Sequence, residues 1–309
     1  MAYCCENNLI KWNCGALCDE LSGVIQYEDR YEKGSFGDMV AYVTARSDEL
    51  KYLFVTFRGT NTMWQLVLEG LGEKNVGYGL HTVEKACVQK VFYERYTRIR
   101  EALLWDVKNL QKDYPDYKIV VTGHSLGGAL ATHAALDFVL SGIIDSDNII
   151  AYPYASPRVG NYAYAQKYNE MVPNSFRIVH NNDLFVTWPV SCDKDRHGNC
   201  VPGTDDKDYG TPGGKFFGWH VNTQVFYNKD MDSFDICEPE SQSCADQWHS
   251  IFFRSIPAHL RYMGIGMGCG TMEIPAYGIH GEKESDCVHL PTVPWVDVMS
   301  KLQMAEEEE

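Results

Sequence analysis

Residues 121–131 read VTGHSLGGALA, and this stretch decides the fold class of the chain. It places Ser125 between two glycines, Gly123 and Gly127, in the pattern Gly-x-Ser-x-Gly. An apolar run typical of a buried strand precedes the pattern, and an Ala-rich run typical of a helix follows it. In that context the pattern predicts a nucleophile elbow, a strained turn that exposes the serine hydroxyl above the sheet. The alternative interpretation is a structural turn in which the glycines only allow close packing.

Strand patterns and helix patterns alternate on both sides of the elbow. Runs rich in Val, Ile, Tyr and Phe predict strands at 38–44, 52–57, 118–122, 149–154 and 176–180. Apolar residues at helical spacing, Val88 among them, predict a long helix over 82–112, and a second helix is predicted over 126–140. This alternation predicts an α/β fold with a mostly parallel sheet in one domain, residues 1–304, followed by an acidic tail at 305–309.

The composition excludes several classes of partner. The formal net charge is −15 at pH 7, so the chain lacks a basic footprint and we expect no nucleic-acid partner. The same charge disfavours an anionic lipid surface on average. No run approaches 18 consecutive apolar residues, so we expect no transmembrane anchor. The first residues also lack the pattern of a signal peptide.

The eleven cysteines predict disulfides in an oxidising compartment, and therefore secretion. C-x-x-C spacing is absent, which disfavours a metal site, and we expect no metal and no cofactor. The odd total leaves at least one unpaired thiol, for which Cys87 in the predicted helix is the candidate. Three short-range couples stand out: Cys14 with Cys18, Cys192 with Cys200, and Cys237 with Cys244.

A nucleophilic serine needs a base that is oriented by an acid, and both should follow it in the chain. Asp183 is the favoured acid because it comes just after the predicted strand at 176–180 and a polar turn. The other acidic candidates are crowded in a long loop with no anchoring strand: Asp193, Asp195, Asp205, Asp206 and Asp208.

The positions of the histidines along the chain do not decide which of them is the base. His259 follows Pro257 and starts a short predicted helix near the end of the chain, which suits a residue placed over the elbow. Spacing alone does not decide between it and the other downstream histidines, which are His197, His220, His249, His280 and His289.

The oxyanion of an acyl-transfer intermediate needs two preorganised N–H donors. One comes from the residue after the nucleophile, which is Leu126. The other should come from a loop after an earlier strand. The run at 52–57 followed by Arg58-Gly59-Thr60 provides it, because Gly59 permits a tight turn and Thr60 offers a backbone N–H.

Together these motifs resemble the class 3 (fungal-type) triacylglycerol lipases, and most closely their secreted yeast branch. The resemblance covers nearly the whole chain in order. It includes FRGT at 57–60, GHSLGG at 123–128, SPRVGN at 156–161 and IPAHLRYMG at 256–264. GHSLGG alone also occurs in other α/β hydrolases, but its combination with FRGT and SPRVGN is highly specific.

The resemblance implies an α/β-hydrolase fold with a lid over the active site. It implies Ser125 as nucleophile, Asp183 as acid, His259 as base, and Thr60 with Leu126 as the oxyanion hole. It also makes His220 a structural residue. The disulfides that it implies are Cys14–Cys18, Cys237–Cys244 and Cys4–Cys269, and a further pair of Cys5 with Cys287 is a guess.

The lid implied by the resemblance is the segment 61–75, NTMWQLVLEGLGEKN. It is too apolar for a free surface helix, and a buried core helix is the alternative interpretation. The chain departs from the family here, since Glu69 stands where the family usually has Asp, and Gln89-Lys90-Val91-Phe92 replaces His-x-Gly-Phe. The expected lid and substrate contacts are Met63, Trp64, Leu66 and Val67.

The predicted activity is two-step acyl transfer to water from an acylglycerol at a lipid–water interface, by a protein that we expect to be monomeric. The enzymatic alternatives are a phospholipase A1, a partial-glyceride lipase and a feruloyl-type esterase. The alternative from another class is a lipid-binding protein that keeps the fold without catalysis. The intact Ser, Asp and His argue against that last interpretation.

Overall fold

An eight-stranded sheet carries the elbow. The computed structural model describes residues 9–13, 16–33, 40–59, 75–191, 217–248, 253–263 and 265–266. Its strands are β1 (Gln26–Lys33), β2 (Val40–Ser47), β3 (Tyr52–Phe57), β4 (Asn75–Gly77), β5 (Cys87–Gln89), β6 (Lys118–His124), β7 (Ile149–Tyr154), β8 (Phe176–His180), β9 (Thr223–Tyr227), β10 (Phe234–Cys237), β11 (Arg261–Tyr262) and β12 (Ile265–Gly266). Its α-helices are α1 (Ala16–Glu20), α2 (Lys90–Asp113), α3 (Leu126–Leu140), α4 (Tyr162–Met171) and α5 (Ile256–Leu260).

The centre of the sheet is parallel and its edges are antiparallel. The strand order is β1-β2-β3-β6-β7-β8-β9-β10. The block from β3 to β9 pairs in parallel, while β1, β2 and β10 pair antiparallel at the two edges. The prediction of a mostly parallel sheet is therefore confirmed. The carboxyl ends of the parallel strands meet along one edge of the sheet, where open α/β sheets place their sites.

The bounds of most elements follow the sequence pattern, with one clear error. The strands β3, β7 and β8 and the helix α3 have the predicted bounds. The long helix does not start at 82, since it begins at Lys90 after the short strand β5. Val88 pairs with Val76 on one side and Gly160 on the other, so it is buried in a strand and not on a helix face. Cys87 is buried, and it lies in this strand and not in the predicted helix.

The helix α3 begins at the elbow and is buried almost all round. Its side chains from Leu126 to Phe138 are buried, which is typical of a helix covered on every side. Asp137 is the one acidic side chain among them, and Arg100 of α2 binds it in a two-point pair with nitrogen–oxygen distances of 2.7 and 2.9 Å. Burial raises the pKa of Asp137, but the hydrogen bonds from Arg100, Tyr96 and His81 lower it further, below its ordinary value. This ion pair fixes the helix that the elbow starts.

The described residues test only part of the cysteine and lid predictions. The disulfide Cys237–Cys244 is present, as predicted. Cys18 is also disulfide-bonded, and its partner lies outside the described residues. None of the described helices combines the length and apolar character needed to cross a membrane. The predicted residues that lie outside the described part are Cys4, Cys5, Cys14, Cys192, Cys200, Cys269, Cys287, Thr60, Met63, Trp64, Leu66 and Val67.

Candidate active site

The elbow is a strained turn between β6 and α3. Ser125 has φ 59° and ψ −124°, in the left-handed region that non-glycine residues rarely adopt. A β-carbon on Gly127 would lie 2.4 Å from the carbonyl oxygen of Phe57, and one on Gly123 would lie 2.3 Å from the carbonyl oxygen of Gly127. Only glycine fits at both positions. The turn is therefore built for the serine, and it packs against the end of β3, where the FRGT loop begins.

His259 and Asp183 form a buried pair on the same side of the sheet. Asp183 follows β8, and His259 lies in the short helix α5. The Nδ1 atom of His259 is 2.8 Å from Oδ1 and 2.9 Å from Oδ2 of Asp183. Ser255 caps α5 by accepting from the Ala258 N–H, and its own N–H donates to the carbonyl of Asn182 at 2.8 Å. The start of the helix is thus fastened to the turn that carries the acid.

Two further donors hold the Asp183 carboxylate. The Tyr262 hydroxyl donates to Oδ2 at 2.6 Å, and the Phe185 N–H donates to Oδ1 at 2.9 Å. Burial raises the pKa of Asp183, but the charge of His259 and these hydrogen bonds outweigh it and hold the pKa below its ordinary value. Asp183 is therefore an ionised acceptor that orients the His259 ring and fixes the proton on Nδ1.

His259 lies against the elbow. Nε2 of His124, the residue before the serine, donates to the carbonyl oxygen of His259 at 2.8 Å, and the two rings are 4.7 Å apart. Burial, helped by the neighbouring His259, lowers the pKa of His124 to about 3. His124 is therefore neutral near pH 7 and adds no second positive charge. In the described structure, Ser125 Oγ and His259 Nε2 are both buried without a hydrogen-bond partner, which leaves each available to the other.

The remaining predicted residues fall into three groups. Leu126 is buried at the first position of α3, directly after the nucleophile. His220 donates from Nε2 to the carbonyl of Val186 at 2.5 Å and from its backbone N–H to Glu240 at 2.6 Å, which are structural contacts. Thr60 lies outside the described residues, so the oxyanion hole stays a prediction. Among the described residues, no group of three or more His, Cys, Asp or Glu is arranged to hold a metal ion.

The comparison with protein families decides the relationship. Residues 54–191 match the family described as Lipase (class 3). Over this segment the chain is similar to the class 3 lipases. The matched segment includes the elbow and Asp183, so the family match and the site geometry concern the same residues. The finer assignment to a yeast branch stays a prediction.

Individual relatives that the chain resembles are fungal and nematode lipases. A Caenorhabditis elegans lipase is 33% identical over 214 residues, which is 65% of this chain and 57% of the relative. The Rhizomucor miehei lipase is 36% identical over 237 residues, which is 74% of this chain and 56% of the relative. The chain thus spans little more than half the length of these relatives. The crystal structure of a lipase from Rhizopus microsporus var. chinensis has a TM-score of 0.69 and 26% identity, over 87% of this chain and 85% of that one.

Two residues that contact the site were missed by sequence reasoning. Tyr262 comes three positions after His259 within IPAHLRYMG, and His124 lies inside GHSLGG. Helical spacing gave no signal for Tyr262, because α5 ends at Leu260 and the tyrosine reaches Asp183 from the strand β11. The signal for His124 was weak, since any residue can precede the serine in the elbow pattern.

Tyr262→Phe should lower kcat by about three- to tenfold with little change in KM. The substitution removes one charge-assisted hydrogen bond to Asp183, a contact of about 1.5–3 kcal/mol of which only part is felt in the transition state. Steady-state kinetics on a soluble ester measure the effect. Tyr154→Phe is the control, because the Tyr154 ring lies 6.1 Å from the Tyr262 ring and the described hydrogen bonds of the carboxylate do not include Tyr154. Equal losses in both variants would contradict a role of the hydroxyl in orienting Asp183.

Proposed function

We propose that this chain is a serine esterase that releases fatty acids from neutral acylglycerols. The observation that carries the proposal is the buried Asp183–His259 pair lying against a strained serine elbow. A purely structural Gly-rich turn would not explain why Asp183 orients the His259 ring beside it while Nε2 of that ring has no hydrogen-bond partner. The match of residues 54–191 to the class 3 lipases supports an acylglycerol as the substrate class.

The proposed chemistry is two-step acyl transfer. His259 Nε2 takes the proton of Ser125 Oγ as the oxygen attacks the ester carbonyl carbon. The Leu126 N–H, with Thr60 as the proposed second donor, stabilises the negative oxygen of the tetrahedral intermediate. The carbon–oxygen bond to the alcohol then breaks, and the alcohol leaves with the proton from His259. Water repeats the sequence on the acyl-serine, releases the fatty acid and restores Ser125. Asp183 stays ionised and holds the imidazole in the required tautomer throughout.

We propose that access to the serine is gated. Ser125, Asp183 and His259 each have 0% of their surface exposed. An ester therefore cannot reach Ser125 Oγ in this conformation, and part of the protein must move before substrate binds. We propose that the apolar segment 61–75 is the moving part, with Met63, Trp64, Leu66 and Val67 facing lipid when it opens.

The protein is proposed to work in an oxidising, extracellular environment. Cys237 and Cys244 form a disulfide, and Cys18 takes part in another. Disulfides persist outside the cytosol and are rare within it. The high density of cysteines in the whole sequence supports the same compartment.

A substrate panel tests the proposal. Purified protein is offered emulsified triacylglycerol, diacylglycerol, a zwitterionic phospholipid and a feruloyl ester, together with a dissolved short-chain ester. We expect hydrolysis of acylglycerols and a rise in rate as the substrate passes from dissolved to emulsified. Hydrolysis of the soluble ester without that rise would favour an ungated esterase, and preferential release from phospholipid would favour a phospholipase. No turnover and no covalent labelling by a fluorophosphonate would contradict any serine esterase.

A further inference from the structure

The backbone that follows the acid is held by side chains from distant parts of the chain. The residues Phe185–Thr187 form a single 3-10 turn, and Trp188 and Pro189 follow; we call 185–189 the post-acid segment. The Phe185 N–H binds the Asp183 carboxylate directly. Any displacement of this segment is therefore passed to the carboxylate through that hydrogen bond.

Arg158, from the SPRVGN motif, makes three contacts with carbonyls of the post-acid segment. Its own N–H donates to the Trp188 carbonyl at 2.8 Å. Its Nη1 donates to the Pro189 carbonyl at 3.0 Å and also to the Thr187 carbonyl. His220 adds a fourth contact through its Nε2, which binds the Val186 carbonyl. Each carbonyl from 186 to 189 is thus fixed by a side chain or backbone group from elsewhere.

The Arg158 guanidinium is itself held in place on its other side. It is 1% exposed, and its Nε and Nη2 atoms bind the carboxylates of Glu240 and Asp246 at 2.5–3.2 Å. Burying a charged group carries a large desolvation penalty, which a good ion pair offsets only in part. A buried arginine of this kind therefore contributes more to the geometry of its neighbours than to net stability.

Glu240 connects the two sets of contacts. Its Oε1 accepts from the His220 N–H at 2.6 Å as well as from Arg158 Nε at 3.1 Å. It lies in the loop that the Cys237–Cys244 disulfide closes. The disulfide-closed loop thus supplies one carboxylate that fixes both Arg158 and His220, and these two residues fix the post-acid segment.

We propose that Arg158 is a positioning residue for catalysis: anchored by Glu240 and Asp246, it fixes the post-acid segment and so orients the Asp183 carboxylate toward His259. The inference rests on the proposed function, because it assigns a role within the triad. Misplacement by about 1 Å of a group remote from the chemistry can lower a rate by 10²-fold, so the effect is measurable.

Arg158→Lys is the variant that tests the role. Lysine keeps the positive charge but has one point of attachment, so it cannot bind two carbonyls and two carboxylates at once as the planar fork of arginine does. We expect kcat per active site to fall about tenfold or more, with KM unchanged within about twofold.

Arg177→Lys is the matched control. Arg177 is equally buried, at 1%, and also contacts the disulfide-closed loop, through the Pro239 carbonyl at 3.1 Å and Gln224 at 2.8 Å. Its described hydrogen bonds do not include the post-acid segment. We expect this variant to lose thermal stability as Arg158→Lys does, but to keep kcat per active site within about twofold.

Titration with a fluorophosphonate separates positioning from simple loss of folded protein. The reagent counts the reactive serines, so that kcat is expressed per titrated site. If Arg158→Lys lowers only the number of titrated sites, or if both lysine variants lower kcat per site equally, the inference is wrong. Where Arg158→Lys does not fold, Glu240→Gln serves in its place. It keeps the size and the acceptor oxygen but removes the charge, and we expect a loss of about threefold or more per site.

Failure of the proposed function gives a different result. A wild-type protein that neither hydrolyses any ester of the panel nor reacts with the fluorophosphonate is not a serine esterase, and the inference falls with that function. A wild-type protein that does both, beside an Arg158→Lys variant with normal kcat per site, overturns the inference alone.

Discussion

Ser125→Ala should reduce ester hydrolysis by at least about 10⁴-fold, because no other group can form the acyl intermediate. The fold should survive unchanged. The strained backbone of the elbow is the same for alanine as for serine, since both have a β-carbon at φ 59°. The Ser125 hydroxyl is buried and unpartnered in the described structure, so its removal leaves no donor or acceptor unsatisfied. We therefore expect the melting temperature to stay the same or to rise slightly.

The measurement combines initial rates on an emulsified acylglycerol with thermal unfolding. Ser156→Ala is the control, because Ser156 is also a buried serine near the elbow and its side chain would meet a β-carbon on Gly128 at 3.0 Å. It should keep kcat within about twofold. Residual turnover of Ser125→Ala above about a hundredth of the wild-type rate would show that the nucleophile is a different group.

Asp183→Asn should lower kcat by about 10⁴-fold, the size of effect that this change has in a serine protease. The reason lies in the hydrogen bonds of the carboxylate. Oδ1 must remain an acceptor for the Phe185 N–H, so the amide NH2 takes the place of Oδ2. There it faces the Tyr262 hydroxyl and lies 2.9 Å from Nδ1 of His259, so an amide that can donate to Nδ1 replaces an oxygen that could only accept from it. Donation to Nδ1 favours the imidazole tautomer with its proton on Nε2, and in that tautomer Nε2 cannot accept the proton of Ser125.

Asp137→Asn is the matched control for this second prediction. Asp137 is as buried as Asp183, at 0%, and is likewise surrounded by donors, which are Arg100, Tyr96 and His81. Its conversion to asparagine should lower the melting temperature while kcat per titrated site stays within about threefold. If Asp183→Asn kept more than a tenth of the wild-type kcat, Asp183 would not be the acid of the triad.

The sequence was sufficient for the parts of the site that depend on local pattern. The elbow is local because the glycines beside Ser125 are dictated by contacts within the turn and with the adjacent β3. Asp183 was predicted because the end of a buried strand is visible in the sequence. The start of α2 was predicted wrongly because periodicity cannot detect that Val88 pairs with Val76 and Gly160.

The parts that depend on distant contacts were not predictable from one sequence. Spacing could not choose between His220 and His259, because the acid pairs with a histidine 76 residues away. Arg158 was visible only as part of a motif, since its partner Glu240 is 82 residues further along the chain. Arg158, the carboxylates of Glu240 and Asp246, and the carbonyls of the post-acid segment come together only in the folded protein.

The order of the triad along the chain has a consequence for biosynthesis. A nascent chain that has been made as far as Cys237 already contains every strand of the eight-stranded sheet, together with Ser125 and Asp183. It still lacks His259, which reaches the acid only when the Asp183–Ser255 bridge forms and α5 docks. Because synthesis proceeds from the N-terminus, every strand of this sheet is made before His259. On the proposed mechanism the protein is therefore inert toward the lipids of the cell that makes it until this docking step completes the site.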